Sequence, residues 1–196
     1  MARYNPKDRF YQKAKAQGLR ARSAFKIEEI LQRLGVHGLA GKHILDLGAA
    51  PGGWLQIFAR LTGARGAVIG LDLVEIPGLG PNVRTHAVDV RDHAAMATLG
   101  LPAHFDLISS DMAPKTTGIH TTDVARSHEL VRLALEVARV RLAPGGVFVA
   151  KVFMGEGLKE LEGELKRLFA EVRAIRPEAT REGSREIYLA GKGFRG

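Results

Sequence analysis

Two side chains of opposite charge stand where the chain otherwise reads as buried strand. Lys151 interrupts the apolar run of "GGVFVAKVFMGEG", and Asp111 closes "FDLISSD" just ahead of Met112, Ala113 and Pro114. A lysine at the mouth of a strand is suited to taking a proton from a weak nucleophile such as a hydroxyl, with a carboxylate to orient it. A solvated lysine titrates near pH ~10.4, so such a base needs burial or a second cation to release its proton, and a nearby carboxylate acts in the opposite sense. Lys26 is the candidate cation, and Glu186, beside the last strand, its candidate partner. Residue types alone leave the net sign open, and a lone lysine at a strand end also reads as one that snorkels to solvent.

A second chemical feature is "DLGAAPGGW", residues 46–54, directly after the apolar "HIL". Gly48, Gly52 and Gly53, with Pro51 between them, allow a sharp turn and let a bulky ligand approach the main chain. The spacing is not the dinucleotide GxGxxG, and no GxxxxGK[ST] phosphate loop is present. Asp72 ends the run "VIGLDL", where a carboxylate accepts hydrogen bonds from both ribose hydroxyls of an adenosine, and Asp89 ends "HAVDV", placed for the adenine edge. An adenosine held without a phosphate cradle favours S-adenosylmethionine over NAD. A packing turn or a loop cap explains each of these features singly, but the ordered set much less well.

The acceptor follows by elimination. Enzymes that methylate base amino groups carry an aromatic after the Asp-Met-Ala-Pro position to stack the base, and here that place is Lys115. Methylation at pyrimidine C5 generally needs a cysteine nucleophile, and the chain has no cysteine, which also excludes disulfides and thiolate zinc sites. The seven histidines are scattered, so no metal site is expected. An oxygen acceptor survives.

These residues must be carried by a scaffold, and the pattern supplies one. The 196 residues, 45% hydrophobic, suit a single domain, and no apolar run approaches the ~20 residues that cross a bilayer. The start of the chain is basic without the apolar core of a secretory signal, so a cytoplasmic location is the expectation. "SAFKIEEILQRLG" reads as an amphipathic helix with Ser23 as N-cap and Gly35 as terminator. Beyond it, apolar strand runs alternate with helices near 53–63, 92–99, 122–142 and 156–169, and two strands follow one another at the end. Such alternation predicts an α/β fold with a mostly parallel sheet, helices on both faces and a C-terminal antiparallel hairpin. Seven strand runs are counted.

Net charge is +8, and residues 1–26 hold eight basic side chains against the single Asp8. The expected organisation is therefore a basic arm, residues 1–21, and one domain, residues 22–196. Arg3, Lys7, Arg9, Lys13, Lys15, Arg20 and Arg22, interleaved with Tyr4, Phe10 and Tyr11, suit an RNA backbone with bases nearby. A solvated tail is the competing reading of the arm alone.

Taken together and in order, "ARSAFKIEEI", "DLGAAPGGWLQ", "SDMAPKTTG", "KVFMGEG" and "SREIYLAGKGF" resemble the FtsJ/RrmJ family of RNA ribose 2′-O-methyltransferases across nearly the whole chain. The resemblance implies a Rossmann-like S-adenosylmethionine-dependent methyltransferase fold with a seven-stranded sheet. It implies a catalytic tetrad at Lys26, Asp111, Lys151 and Glu186, with Lys151 as proton acceptor. It places cofactor contacts at Gly52, Trp54, Asp72, Asp89 and Asp111, beside the loop residues Gly48, Pro51 and Gly53, and S-adenosylhomocysteine as product. The similarity is greatest to the bacterial short-chain branch, whose substrate is a uridine in the A-loop of 23S ribosomal RNA in the large subunit. One chain supplies all four tetrad positions, so a monomer without an obligate protein partner is expected. A transfer-RNA 2′-O-methyltransferase is the nearest alternative, and a non-catalytic RNA-binding assembly factor is the alternative of a different class. A nucleotide-dependent dehydrogenase rests on fold analogy alone.

Overall fold

The computed structural model describes residues 9–196. In chain order the elements are α1 (Arg9–Ala16), α2 (Ala24–Arg33), β1 (His43–Leu47), α3 (Gly53–Thr62), β2 (Ala67–Asp72), β3 (Val83–Ala87), α4 (His93–Thr98), β4 (Phe105–Ser110), α5 (His120–Arg141), β5 (Leu142–Phe153), α6 (Leu158–Leu168), β6 (Phe169–Ile175) and β7 (Glu186–Phe194). The expected α/β alternation and the closing hairpin are both present. The seven strands lie in the order β3-β2-β1-β4-β5-β7-β6. Pairing from β3 through β5 is parallel, whereas β7 runs antiparallel to both β5 and β6.

Strand residues alternate between faces, and the sheet buries both. Leu45, Leu47, Ile108, Phe148, Ala150 and Val152 pack under α5 and α6, with Leu135 and Leu165 among the covering side chains. Ile44, Val68, Leu107, Val149 and Tyr188 point the other way, against Ile27 and Ile30 of α2 and Trp54 and Phe58 of α3. Lys151, between Ala150 and Val152, therefore belongs to the α2/α3 face. A parallel sheet covered on both sides requires such near-continuous apolar strands, so a lysine in that register is conspicuous.

The start of α2 differs from the expectation in one respect. Ser23 is already in the right-handed helical region and its side chain makes no capping hydrogen bond. Its carbonyl instead accepts the indole N–H of Trp54 at 2.8 Å, which ties α2 to α3. The C-terminus behaves as read: Gly35 adopts φ +60°, and the amide of Val36 reaches back to the Leu31 carbonyl, the left-handed closure that glycine makes cheaply.

Candidate active site

The carboxyl ends of β1, β2 and β4 open into a cavity of about 680 Å³ lined by Gly48, Asp72, Asp89, Asp111, Met112 and their neighbours. That is the position where an open parallel sheet takes its ligand. Gly48 faces it with φ +70°, and a Cβ there would lie 2.7 Å from the Met112 side chain and 2.8 Å from its backbone nitrogen. The other two glycines of the run serve packing. A Cβ on Gly52 would meet Leu79 at 2.9 Å, and one on Gly53 would meet Ala21 at 3.0 Å. Pro51, Gly52 and Gly53 do not line the cavity, and neither does Trp54. Trp54 is buried in the core of the α2/α3 face, edge-on to Phe58 and 5.7 Å from the ring of Tyr188.

Asp72 stands at the end of β2 as expected. Its two oxygens accept the amides of Ala50 at 2.8 Å and Val74 at 3.2 Å, and a carboxylate so held still has lone pairs to offer a ligand. Asp89 lies two residues beyond β3. The Arg91 guanidinium grips it in a two-pronged pair, at 2.9 and 2.6 Å, and those hydrogen bonds hold its carboxyl down at about 2. Exposed pairs of this kind contribute little and open readily. Asp46, in the same sequence motif, is fully buried and donates nothing to the cavity. It accepts the Ser109 hydroxyl at 2.6 Å across the β1–β4 seam, and burial pushes its carboxyl well above the ordinary range.

At one side of this cavity four distant residues meet. Lys151 Nζ donates to Asp111 twice, to a carboxylate oxygen at 3.0 Å and to the backbone carbonyl at 2.6 Å. Lys26, projecting from the buried face of α2, pairs with Glu186 at the start of β7. The lysine side chains are only about 10% exposed, so both charges are drawn out of water and need these partners. Burial opposes ionisation of Glu186, but the adjacent Lys26 ammonium outweighs it and keeps the carboxyl below its usual value.

The link between the two pairs was not legible in the sequence. Tyr188 Oη lies 2.9 Å from the Asp111 carboxylate and 3.2 Å from that of Glu186. Its ring is fully buried, with Lys26 Nζ 5.8 Å from the ring centre. Burial, then the two neighbouring carboxylates, push the phenol well above its ordinary value, which keeps it a proton donor. The signal was the alternation in "REIYLAG", which places residues 186 and 188 on one face. In the β5–β7 register Lys151 lies opposite Tyr188 and Phe153 opposite Glu186.

The expected RNA-binding residues separate into groups. Arg3 and Lys7 lie outside the described residues. Arg9, Lys13 and Lys15 are exposed on α1, whose Ala14 and Phe10 pack on Phe25. Lys13 also sits 4.7 Å over the Phe25 ring. Arg20 is turned inward: its guanidinium donates to the carbonyls of Pro51, Pro77 and Gly78 at 3.3, 2.8 and 2.9 Å. It thereby clamps the glycine run to the loop after β2. Arg22 likewise donates to the Ala179 carbonyl at 2.8 Å.

A model of the FtsJ-like methyltransferase family matches residues 19–194. The chain is 56% identical to a ribosomal RNA large subunit methyltransferase E from Anaeromyxobacter dehalogenans (strain 2CP-C), over 98% of this chain and 73% of that one. It is 51% identical to the protein of the same name from Myxococcus xanthus (strain DK1622), over 96% of this chain and 89% of that one. Among solved structures it is similar to a Plasmodium falciparum protein described as a ribosomal RNA methyltransferase, with a TM-score of 0.77 and 28% identity over 90% and 99% of the two chains. A chain of a fibrillarin/Nop5p complex, at 19% identity and a TM-score of 0.61 over 87% and 83%, shares the fold alone.

Proposed function

The chain belongs to the FtsJ-like methyltransferase family, and from that premise we propose that it methylates a ribose 2′-hydroxyl of large-subunit ribosomal RNA, using S-adenosylmethionine and Lys151 as general base. The observation that carries this reading is the two ion pairs Lys26–Glu186 and Lys151–Asp111, with the Tyr188 hydroxyl between them, at the edge of the cavity. The residues fit the cofactor. Gly48 lines the cavity at a φ of +70° that a side chain rarely adopts, Asp72 offers acceptors for ribose hydroxyls, and Asp89 lies along the same wall for the adenine edge. When bound, S-adenosylmethionine supplies a methyl group on a positively charged sulfur, open to displacement by an oxygen nucleophile.

Lys151, once it has given up its own proton, takes the hydroxyl proton as the oxygen attacks. The ammonium so formed finds two acceptors on Asp111 already in place, so the new charge is stabilised without reorganisation. Lys26 and Glu186 compensate one another, and the Tyr188 hydroxyl fixes the Asp111 carboxylate that orients the base. Within this reading the substrate is a uridine of the 23S ribosomal RNA A-loop in the assembled large subunit, approached by the exposed bases of α1. The enzyme works as a cytoplasmic monomer, with residues 1–21 as its RNA-binding arm.

The test is transfer of labelled methyl by wild type and Lys151→Ala to unmodified large subunits, naked ribosomal RNA and bulk transfer RNA. General-base catalysis is worth about 10²–10⁴ in rate, so the variant should lose transfer by that factor while S-adenosylmethionine affinity is unchanged. Label should appear on subunit RNA as an alkali-resistant ribose mark. Label on transfer RNA alone would overturn the substrate, and full turnover by Lys151→Ala would overturn the base.

A further inference from the structure

A second cavity, of about 370 Å³, lies between the loop before α5 and the turn before β7, lined by Gly118, His120, Asp123, Phe153, Ser184 and Arg185 among others. Its volume falls in the ~300–1,000 Å³ range of small-ligand pockets. It adjoins the tetrad by register. Phe153 is two residues beyond Lys151 on the same face of β5 and opposite Glu186 of β7, and Arg185 precedes Glu186 directly.

The pocket is held open by fixed parts. The backbone of Phe153 is anchored from α5, its amide donating to Ser127 Oγ at 3.0 Å and its carbonyl 3.2 Å from His128 Nε2. The amide of Met154 donates to the Arg185 carbonyl at 2.9 Å. Asp123 offers little free negative charge to a ligand, because its carboxylate accepts the Thr117 amide, the Thr117 hydroxyl and the Gly118 amide. What the pocket presents is an aromatic residue without an aromatic partner among the described residues. The Arg185 cation and the polar ring of His120 share its lining, and the adjoining Ile119 and Met154 are 62% and 45% exposed. An aromatic platform with apolar flanks and a basic rim is the chemistry that recognises an unpaired nucleobase and its phosphate.

The need for such a platform follows from the depth of the base. The Lys151 side chain is about 10% exposed, so a ribose that reaches its amine has to leave a stacked helix, and its base then needs a new surface. We infer that this cavity is the acceptor-base pocket: the ring of Phe153 stacks the nucleobase of the nucleotide being methylated, and Arg185 holds its phosphate. The inference rests on the proposed 2′-O-methyl transfer and assigns that site its substrate-binding half.

Steady-state transfer to unmodified large subunits by Phe153→Tyr, Phe153→Leu and Arg185→Gln tests it, with S-adenosylmethionine affinity measured by calorimetry in parallel. Loss of stacking corresponds to about a 5- to 150-fold change in binding. Phe153→Leu should raise KM for the subunit by that factor with cofactor affinity unchanged, and Phe153→Tyr should retain wild-type KM. Arg185→Gln should raise KM and reduce the salt slope of binding by about 1. If leucine serves as well as tyrosine, or only the Arg185 variant responds, the site takes phosphate alone and the base pocket is wrong. A fluorescent 2-aminopurine at the acceptor position of a short single-stranded RNA decides independently of the Phe153 variants. Quenching by the wild-type protein is expected, and unquenched binding overturns the pocket. A wild-type enzyme that methylates no RNA would sink the proposed function instead, whereas active wild type with a flat Phe153 series sinks the pocket alone.

Discussion

Replacing Tyr188 by phenylalanine removes one hydroxyl from the floor of the site while leaving the ring against Trp54, 5.7 Å away. The hydroxyl has one proton and two carboxylates to choose from, Asp111 at 2.9 Å and Glu186 at 3.2 Å. One charge-assisted hydrogen bond is therefore lost, worth about 1.5–3 kcal/mol. Both carboxylates keep a lysine, Lys151 and Lys26 respectively, so neither is stranded as an unpaired buried charge and the lower half of that range applies. For a chain of this length each kcal/mol corresponds to about 2–4 °C, which puts the fall in Tm at about 3–9 °C. If the same bond orients Asp111 against Lys151 during transfer, kcat falls about tenfold while KM for S-adenosylmethionine stays fixed, since the ring does not line the cavity proposed for the cofactor. Differential scanning calorimetry and single-turnover transfer measure the two numbers. A variant with unchanged Tm and unchanged kcat would refute the claim that the hydroxyl joins the two ion pairs. A lowered Tm with normal kcat would make the Tyr188 hydroxyl a structural link with no part in transfer.

Gly48→Ala places a methyl 2.7 Å from Met112 at a backbone φ of +70°. It should cost more than about 1 kcal/mol of stability and lower S-adenosylmethionine affinity, as read by thermal melting and calorimetry. Arg20→Ala frees the loop carbonyls of Pro51, Pro77 and Gly78 and should weaken cofactor binding without altering the salt slope of RNA binding. Lys13→Ala and Lys15→Ala should each lower that slope by about 1 and leave cofactor affinity alone; the opposite pattern would reverse the assignment of these cations. Glu186 has its carboxyl pK depressed by Lys26, so its stabilisation is complete above the unfolded value of ~4.3 and is lost as pH falls through the lower folded value. The Tm difference between wild type and Glu186→Gln should therefore persist from pH 7 down to about pH 4 and narrow below it. A difference that vanished already at pH 6 would mean Glu186 is not held by Lys26.

The alternation of apolar strands and helices made the sheet legible, because a strand buried on both faces leaves an unmistakable run such as "GAVIGLDL". The set Lys26, Asp111, Lys151 and Glu186 is what the family resemblance implies; of the four, Lys151 alone stands out by itself, as a charge inside an apolar strand run. What escaped the sequence depended on tertiary partners. Ser23 has the right type for an N-cap, but the Trp54 indole claims its carbonyl and the helical turn starts earlier. Arg20 and Arg22 are indistinguishable from Lys13 and Lys15 by type and spacing, yet backbone carbonyls 31 to 157 residues away take up their guanidinium groups. Trp54 sits in the glycine motif but turns its ring into the α2–α3 core. Only the β5–β7 register, which sequence does not supply, places Tyr188 across from Lys151.

The division of labour in the sheet explains why the four charged residues come from such distant segments. The parallel half, β1 to β4, ends its strands together and so makes one open mouth, lined by the loop after β1 and by Asp72. A parallel neighbour beside β5 would end at the same level and extend that mouth. β7 runs the other way, so its first residues lie beside the last residues of β5. Glu186 and Tyr188, at the beginning of β7, thus meet Lys151 near the end of β5, and α2, crossing the same face, brings Lys26 onto Glu186. Reversal of one strand therefore gives the cavity's edge a second wall, where Lys151 and its counter-charges are held beside the space proposed for the cofactor. A parallel insertion at this position would put residue 186 at the opposite edge of the sheet, and no side-chain substitution would restore the tetrad.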